Sequence, residues 1–277
     1  MPSKKIISIT SGKGGVGKST LVFNIALSLN KQGANVLVLD ADLSLGNMDL
    51  FAGVKPLFTL KDVFDGNRSL DDVVIEVKKG LKIIPTSSGD ETLCNLSDKQ
   101  EINLVSAFDN LKSSFDILLI DTDAGISANV IYFSTISQEI VLVITPDPAS
   151  LHDSLALINL LSNKYGEKSF NVVVNCVRTK EEMGSVFSSF SNMVDKENCN
   201  VRLNYMGAVH FDNKMVEAVK KQSAVSELYP KSLSSKDIKK IAATIMAMPS
   251  QPFPKGNVQI LLGDFLEQSR NKEKYNL

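Results

Sequence analysis

A chain of 277 residues, 43% of them apolar, is long enough to bury one large core or two smaller ones. Its net charge of −1 argues against a protein that coats nucleic acid, though that sum still allows a local basic patch. Three cysteines (Cys94, Cys176, Cys199), far apart and without a C-x-x-C pair, argue against a disulfide framework, a zinc site or a metal cluster and for a reduced compartment; no apolar run reaches signal-peptide or membrane-spanning length, and a cytoplasmic location is expected.

The first element is the run "IISI" (6–9), which leads directly into "SGKGGVGKST" (11–20). "KSTLVFNIALSLNKQG" follows, with Leu21, Ile25 and Leu29 on one stripe and Gly33 placed to end a helix. Further short Ile/Val/Leu runs are "VLVL" (36–39), "LKII" (81–84), "ILLI" (117–120), "IVLVI" (140–144), "VVV" (172–174) and "YMGAV" (205–209). They are too short for buried helices and mostly lack polar alternation, as strands buried on both faces do. "ASLHDSLALINLLSNKYG" (149–166) reads as a helix with Ser150 as N-cap and Gly166 as stop. Strands alternating with helices predict an α/β fold: a doubly wound, mostly parallel sheet of seven to eight strands with helices on both faces. "SSKDIKKIAATIMAM" (234–248) predicts a last core helix through Ile238, Ile241, Ala242 and Ile245. The domain reading is therefore 1–248, a Pro-rich linker over 249–257, and a tail over 258–277.

Residues Gly12 to Ser19 match G-x-x-x-x-G-K-[ST], with a strand before and a helix after, which is the context a phosphate-binding loop requires. Backbone N–H groups must approach phosphate oxygens closely, hence Gly12, Gly14, Gly15 and Gly17. Lys18 sets an ammonium against the β/γ-phosphates, Ser19 can ligate Mg²⁺, and the helix N-terminus adds its positive end. With Val16 and Thr20 these residues form the nucleotide-binding set. Hydrolysis also needs carboxylates at neighbouring strand ends. Asp40 and Asp42 follow "VLVL", and Asp121 and Asp123 follow "ILLI". Asp121 stands where a Walker-B carboxylate holds the metal's water shell, so Ser19 and Asp121 are metal candidates.

The early lysine, Lys13, in "KGGVGKST" resembles the deviant Walker A motif of the ParA/MinD ATPases. "DADLSLGNMDLFAG" is similar to their switch I and "LLIDTDAGIS" to their switch II. "VVNCV", "YMGAVHFDNKMVEAVKKQ" and "LYPKSLSSKDI" resemble the flagellar-number branch known as FlhG, FleN or YlxH. The resemblance implies ATP and Mg²⁺ as cofactors, ATP hydrolysis, and an ATP-dependent homodimer. In that dimer Lys13 crosses to the partner's nucleotide, making it a catalytic residue together with Lys18 and Asp42, which orients water. The resemblance implies Asp40 as a third metal residue, supporting Ser19 and the metal. It places Asn47, Asp123 and Gly125 in the switches, with Asp123 beside the metal or in solvent. Asn175 and the loop His210, Phe211 and Asp212 are placed at adenine, and Asp147 and Ser150 against the partner's ribose.

In the tail, Val258, Leu261, Leu262, Phe265 and Leu266 form one helical stripe. By resemblance such a stripe lies reversibly in the cytoplasmic membrane interface; docking on the protein's own core is the other reading. Implied partners are a second copy, an SRP-type flagellar GTPase and flagellar switch proteins. The expected function is a switch controlling flagellar number or placement. ParA-like DNA partitioning and MinD-type division-site control are the alternatives, and the charge balance speaks against nucleic acid.

Overall fold

An Ile/Val/Leu run stays unbroken only where both faces of its strand are covered by apolar layers. The computed structural model describes residues 4–43, 45–86, 96–197 and 200–249, and all seven predicted runs fall within its strands. These are β1 (Lys5–Ser11), β2 (Val36–Ala41), β4 (Leu81–Ile84), β5 (Ile117–Ala124), β6 (Glu139–Ile144), β7 (Ser169–Val177) and β8 (Arg202–His210), with β3 (Ile75–Lys78) as an eighth. The strand order is β3-β4-β2-β5-β1-β6-β7-β8. Every pairing is parallel except β3 with β4. Strand β3, which sequence periodicity did not flag, is a four-residue edge strand that is only partly buried.

The helices are α1 (Lys18–Lys31), α2 (Met48–Ala52), α3 (Leu60–Phe64), α4 (Leu70–Val73), α5 (Asp98–Asp109), α6 (Ala128–Thr135), α7 (Pro148–Tyr165), α8 (Lys180–Lys196), α9 (Asn213–Lys220), α10 (Val225–Leu228) and α11 (Leu233–Ala247). Alternate residues of one strand serve opposite layers. Val36 and Val38 of β2 pack with α1 and α11, whereas Leu37 and Leu39 pack with α3 and α6. On β6, Val141 and Val143 join the first layer, while Leu142 and Ile144 meet α7 and α8. Ile238, Ile241, Ala242 and Ile245 of α11 are all buried, as their spacing required.

One cap differs from its prediction. Asp147, not Ser150, caps α7, accepting from the Ala149 N–H at 3.2 Å with Pro148 at the first turn. Ser150 is fully buried, and its Oγ accepts from the Thr145 N–H at 3.1 Å. Cys176 is free and exposed. Cys94, Cys199, the linker beyond Pro249 and all five tail residues lie outside the described residues.

Candidate functional site

Strands β1, β2 and β5 lie side by side and deliver their C-terminal ends to one edge of the sheet, where ligands of open α/β sheets bind. The glycine loop joins β1 to α1 there. Gly15 and Gly17 take φ of +78° and +85°, a region L side chains avoid. Gly12 is required by packing instead: an added Cβ would stand 2.2 Å from the backbone of Asp153 and Ser154 on α7. Helix α1 starts at Gly17 with no side-chain cap, so its first-turn N–H groups have no capping competitor for an anion.

Lys18 reaches Asp121, donating from Nζ to Oδ1 at 2.7 Å with the side chains only 8% and 2% exposed. Two charges this buried persist because each neutralises the other. Asp40 lies beside them. Its Oδ2 accepts the Met48 N–H at 2.9 Å and its Oδ1 the Asp42 N–H at 3.3 Å, so it ties the start of α2 to the end of β2. Burial first, and then the neighbouring Asp121, push the Asp40 carboxyl up to about 8. Gly46 completes this fit: a Cβ there would lie 2.0 Å from Thr86 Cγ2 and 2.6 Å from Asp40 Oδ2.

A cavity of about 590 Å³ opens over the loop, lined by residues Lys13 to Thr20 together with Asp42, Asn47 and Asp123. Asp42 is half-buried and accepts the Leu45 N–H at 3.0 Å. Asn47, the N-cap position of α2, donates to the Leu45 carbonyl. Asp123 does not stand in open solvent: it is half-buried, accepts the Ala124 N–H at 2.6 Å, and burial raises its carboxyl above the usual range. Gly125, at φ +88°, donates its N–H to the Ser11 carbonyl at 2.9 Å and so joins the end of β5 to the glycine loop.

Part of the cavity's lining was not foreseen. Leu45, Leu50, Phe51, Val219 and Gln222 also line the cavity, adding mostly apolar surface to the polar loop. Nothing local marks these residues, because α2 and the end of α9 are remote in sequence. Conversely, the residues expected at adenine do not line this cavity. Asn175 is buried and donates from Nδ2 to the Val16 carbonyl at 2.7 Å, bracing the glycine loop from behind. His210 Nδ1 lies 2.6 Å from Asp237 Oδ2. Asp212 caps α9 and accepts from both the N–H and Oγ of Ser234. Phe211 is half exposed, with the Arg178 guanidinium 5.7 Å from its ring centre. Lys13 lines the cavity rim, but its ammonium is paired with Asp147 of the same chain, both partly exposed.

The donor set fits a triphosphate with Mg²⁺. A cavity walled by the glycine loop and lined by two lysines, Lys13 and Lys18, suits phosphate. Mg²⁺ keeps most of its waters and takes one or two protein groups plus phosphate oxygens, and the Ser19 residue lining the cavity offers one such group. Ser19 lines the cavity, whereas Asp40 and Asp121 are buried beneath it, their oxygens turned to the Met48 and Asp42 N–H groups and to Lys18.

Residues 4–172 match the family described as an AAA domain. The chain is 36% identical to the antiactivator FleN of Pseudomonas aeruginosa over 258 residues, covering 93% of this chain and 92% of that protein. It is 32% identical to the flagellum site-determining protein YlxH of Helicobacter pylori, covering 88% and 82%. Among solved structures, the cell division ATPase MinD of Pyrococcus furiosus is similar with a TM-score of 0.73 and 26% identity, over 89% of this chain and 99% of that one. The septum site-determining protein MinD of Pyrococcus horikoshii, complexed with Mg-ADP, gives 0.73 at 24% identity, over 88% and 96%.

Proposed function

The chain belongs to the ParA/MinD-type family of P-loop ATPases, and we propose that it is a flagellar-number regulator that works as an ATP-dependent dimerisation switch. ATP hydrolysis is the activity of the family, and the relatives FleN and YlxH point to flagellar control rather than DNA partitioning. Mg²⁺, when bound, supplies charge neutralisation at the phosphates; Ser19 would hold it, with Asp121 in its water shell.

The observation that carries the switch is the position of Lys13. Lys18 already occupies the inward place, buried against Asp121, so a second ammonium has no room there. Lys13 sits instead at the rim on an exposed pair with Asp147. Exposed ion pairs contribute little because water screens them, so a second copy's triphosphate can draw Lys13 away at little cost. Two copies then complete each other's sites: Lys18 and the partner's Lys13 neutralise charge developing on the phosphates, and Asp42 orients water. Reversible contact with the cytoplasmic membrane through the 258–277 stripe belongs to the same reading, because pairing two weak anchors raises avidity. An SRP-type flagellar GTPase and flagellar switch proteins are the proposed partners that stimulate or read the dimer.

Size-exclusion chromatography with light scattering, in ADP and in ATP with Mg²⁺, tests this. Wild type and Asp42→Ala should be single in ADP, and the variant should be a lasting dimer in ATP. A variant saturated with Mg-ATP that stays single at high concentration overturns the reading.

A further inference from the structure

Charge on this protein is unevenly placed. On α11 every third or fourth residue returns to the same side, and Lys236, Lys239 and Lys240, with Ala243, Thr244 and Ala247, form its exposed face. The buried side is Ile238, Ile241, Ala242 and Ile245. Asp237 is the helix's only acid and does not reach this face; it is 9% exposed and occupied by the ring Nδ1 and backbone N–H of His210. Lys240 Nζ lies 3.9 Å from it, at the outer limit of an ion pair, and is itself 80% exposed. Among the described residues, neither Lys236 nor Lys239 has a carboxylate partner.

The carboxylates of neighbouring elements are already engaged: Asp212, the cap of α9, accepts from the N–H and Oγ of Ser234 in the first turn of α11. Helix α1 carries no acid, and its exposed Lys31 rests on Ser226. The adjoining Gln32 donates to the Lys239 carbonyl, which brings that end of α1 against α11. Strand β8 also carries no acid. The one carboxylate of α10, Glu227, is paired with Lys78. In a chain whose net charge is −1, this face is therefore purely cationic.

We propose that the exposed face of α11, through Lys236, Lys239 and Lys240, binds the anionic headgroups of a phospholipid surface. This rests on the membrane reading above and assigns it a site within the folded domain. The face carries its three lysines on the first turns and the small residues Ala243, Thr244 and Ala247 on the turns that follow, and exposed Met246 and Leu233 flank it. It offers no arginine fork, aromatic ring or amide side chain with which to read bases. Lysine point charges beside small residues suit a diffuse anionic plane. The apolar stripe of 258–266 follows α11 after a linker of 249–257, which at full extension spans about 30 Å. A basic face and an amphipathic segment so tethered provide the two signals that stable peripheral binding needs.

Each lysine near an anionic surface strengthens binding about fivefold, so the three together contribute on the order of a hundredfold. The test is flotation of the full chain in Mg-ATP with vesicles of phosphatidylcholine alone or of phosphatidylcholine mixed equally with phosphatidylglycerol. Wild type is compared with the variant combining Lys236→Gln, Lys239→Gln and Lys240→Gln, and with the matching Lys→Arg triple. Wild type should prefer the mixed vesicles in a salt-sensitive way. The Gln variant should lose that preference, the Arg variant should keep it, and ATP-driven dimerisation should be the same in all three. A Gln variant that floats with mixed vesicles as well as wild type overturns the α11 site while leaving the membrane reading intact. A wild type that floats with neither vesicle overturns both. Capture of wild type, but not of the Gln variant, by duplex DNA in place of vesicles overturns the lipid assignment in favour of nucleic acid.

Discussion

Lys13 and Asp147 form an ion pair within a single chain, although 134 positions separate them in sequence. The carboxylate that caps α7 thus also holds the early lysine of the glycine loop, and that lysine keeps the Asp147 carboxyl below its usual range.

Replacing Asp147 by Asn keeps a good helix cap and removes the charge that restrains Lys13. ATP-driven self-association should then appear at up to about fivefold lower nucleotide, the scale of an exposed pair. Sedimentation velocity across an ATP series measures it. Loss of the dimer would mean instead that Asp147 is needed across the interface.

Lys18→Met leaves Asp121 buried without its cation. Folding stability should fall by about 3–5 kcal/mol, since a lone buried charge is far costlier than a satisfied pair. Adding Asp121→Asn should restore most of that stability and none of the ATP turnover. Urea denaturation and phosphate release separate the two effects.

Asn175 separates bracing of the loop from reading of the base. Its Nδ2 holds the Val16 carbonyl, so Asn175→Ala removes a buried hydrogen bond worth about 1 kcal/mol. If bracing dominates, ATP and GTP affinities should both weaken about fivefold, as titration calorimetry would show. Weakening confined to ATP would return Asn175 to the adenine edge.

At the end of α5, both carboxylate oxygens of Asp109 are buried without a hydrogen-bond partner among the described residues, and burial pushes the group up to about 6. The folded state therefore binds the proton more tightly than the unfolded chain, where the value is 3.8. Stability should fall as pH rises between those two values and stay lowered above them. Asp109→Asn should stabilise the protein near pH 7.5 by about 1 kcal/mol, a figure discounted for the residue's partial exposure, and change little near pH 4. Thermal melts of both forms at the two pH values check the sign.

The sequence by itself determined the sheet, the glycine loop and the carboxylates beside it, because each depends on neighbouring residues. Four glycines, Lys18 and Ser19 stand within eight consecutive positions, and the φ values of Gly15 and Gly17 are demands on the local backbone. Asp40 and Asp121 could be found because each directly follows an apolar run. The tertiary structure alone decided which partner each charged or polar group takes: Lys13 with Asp147, Asn175 with the Val16 carbonyl, and His210 with Asp237; it also brought Leu50, Phe51 and Val219 to the same cavity. Strand β3 belongs with these, since its apolar–polar alternation runs for only four residues, too short to stand out from the flanking chain. Periodicity records which side of an element is buried; ion pairs and hydrogen bonds depend on distances of a few ångströms between elements far apart in the chain, and only packing sets those distances.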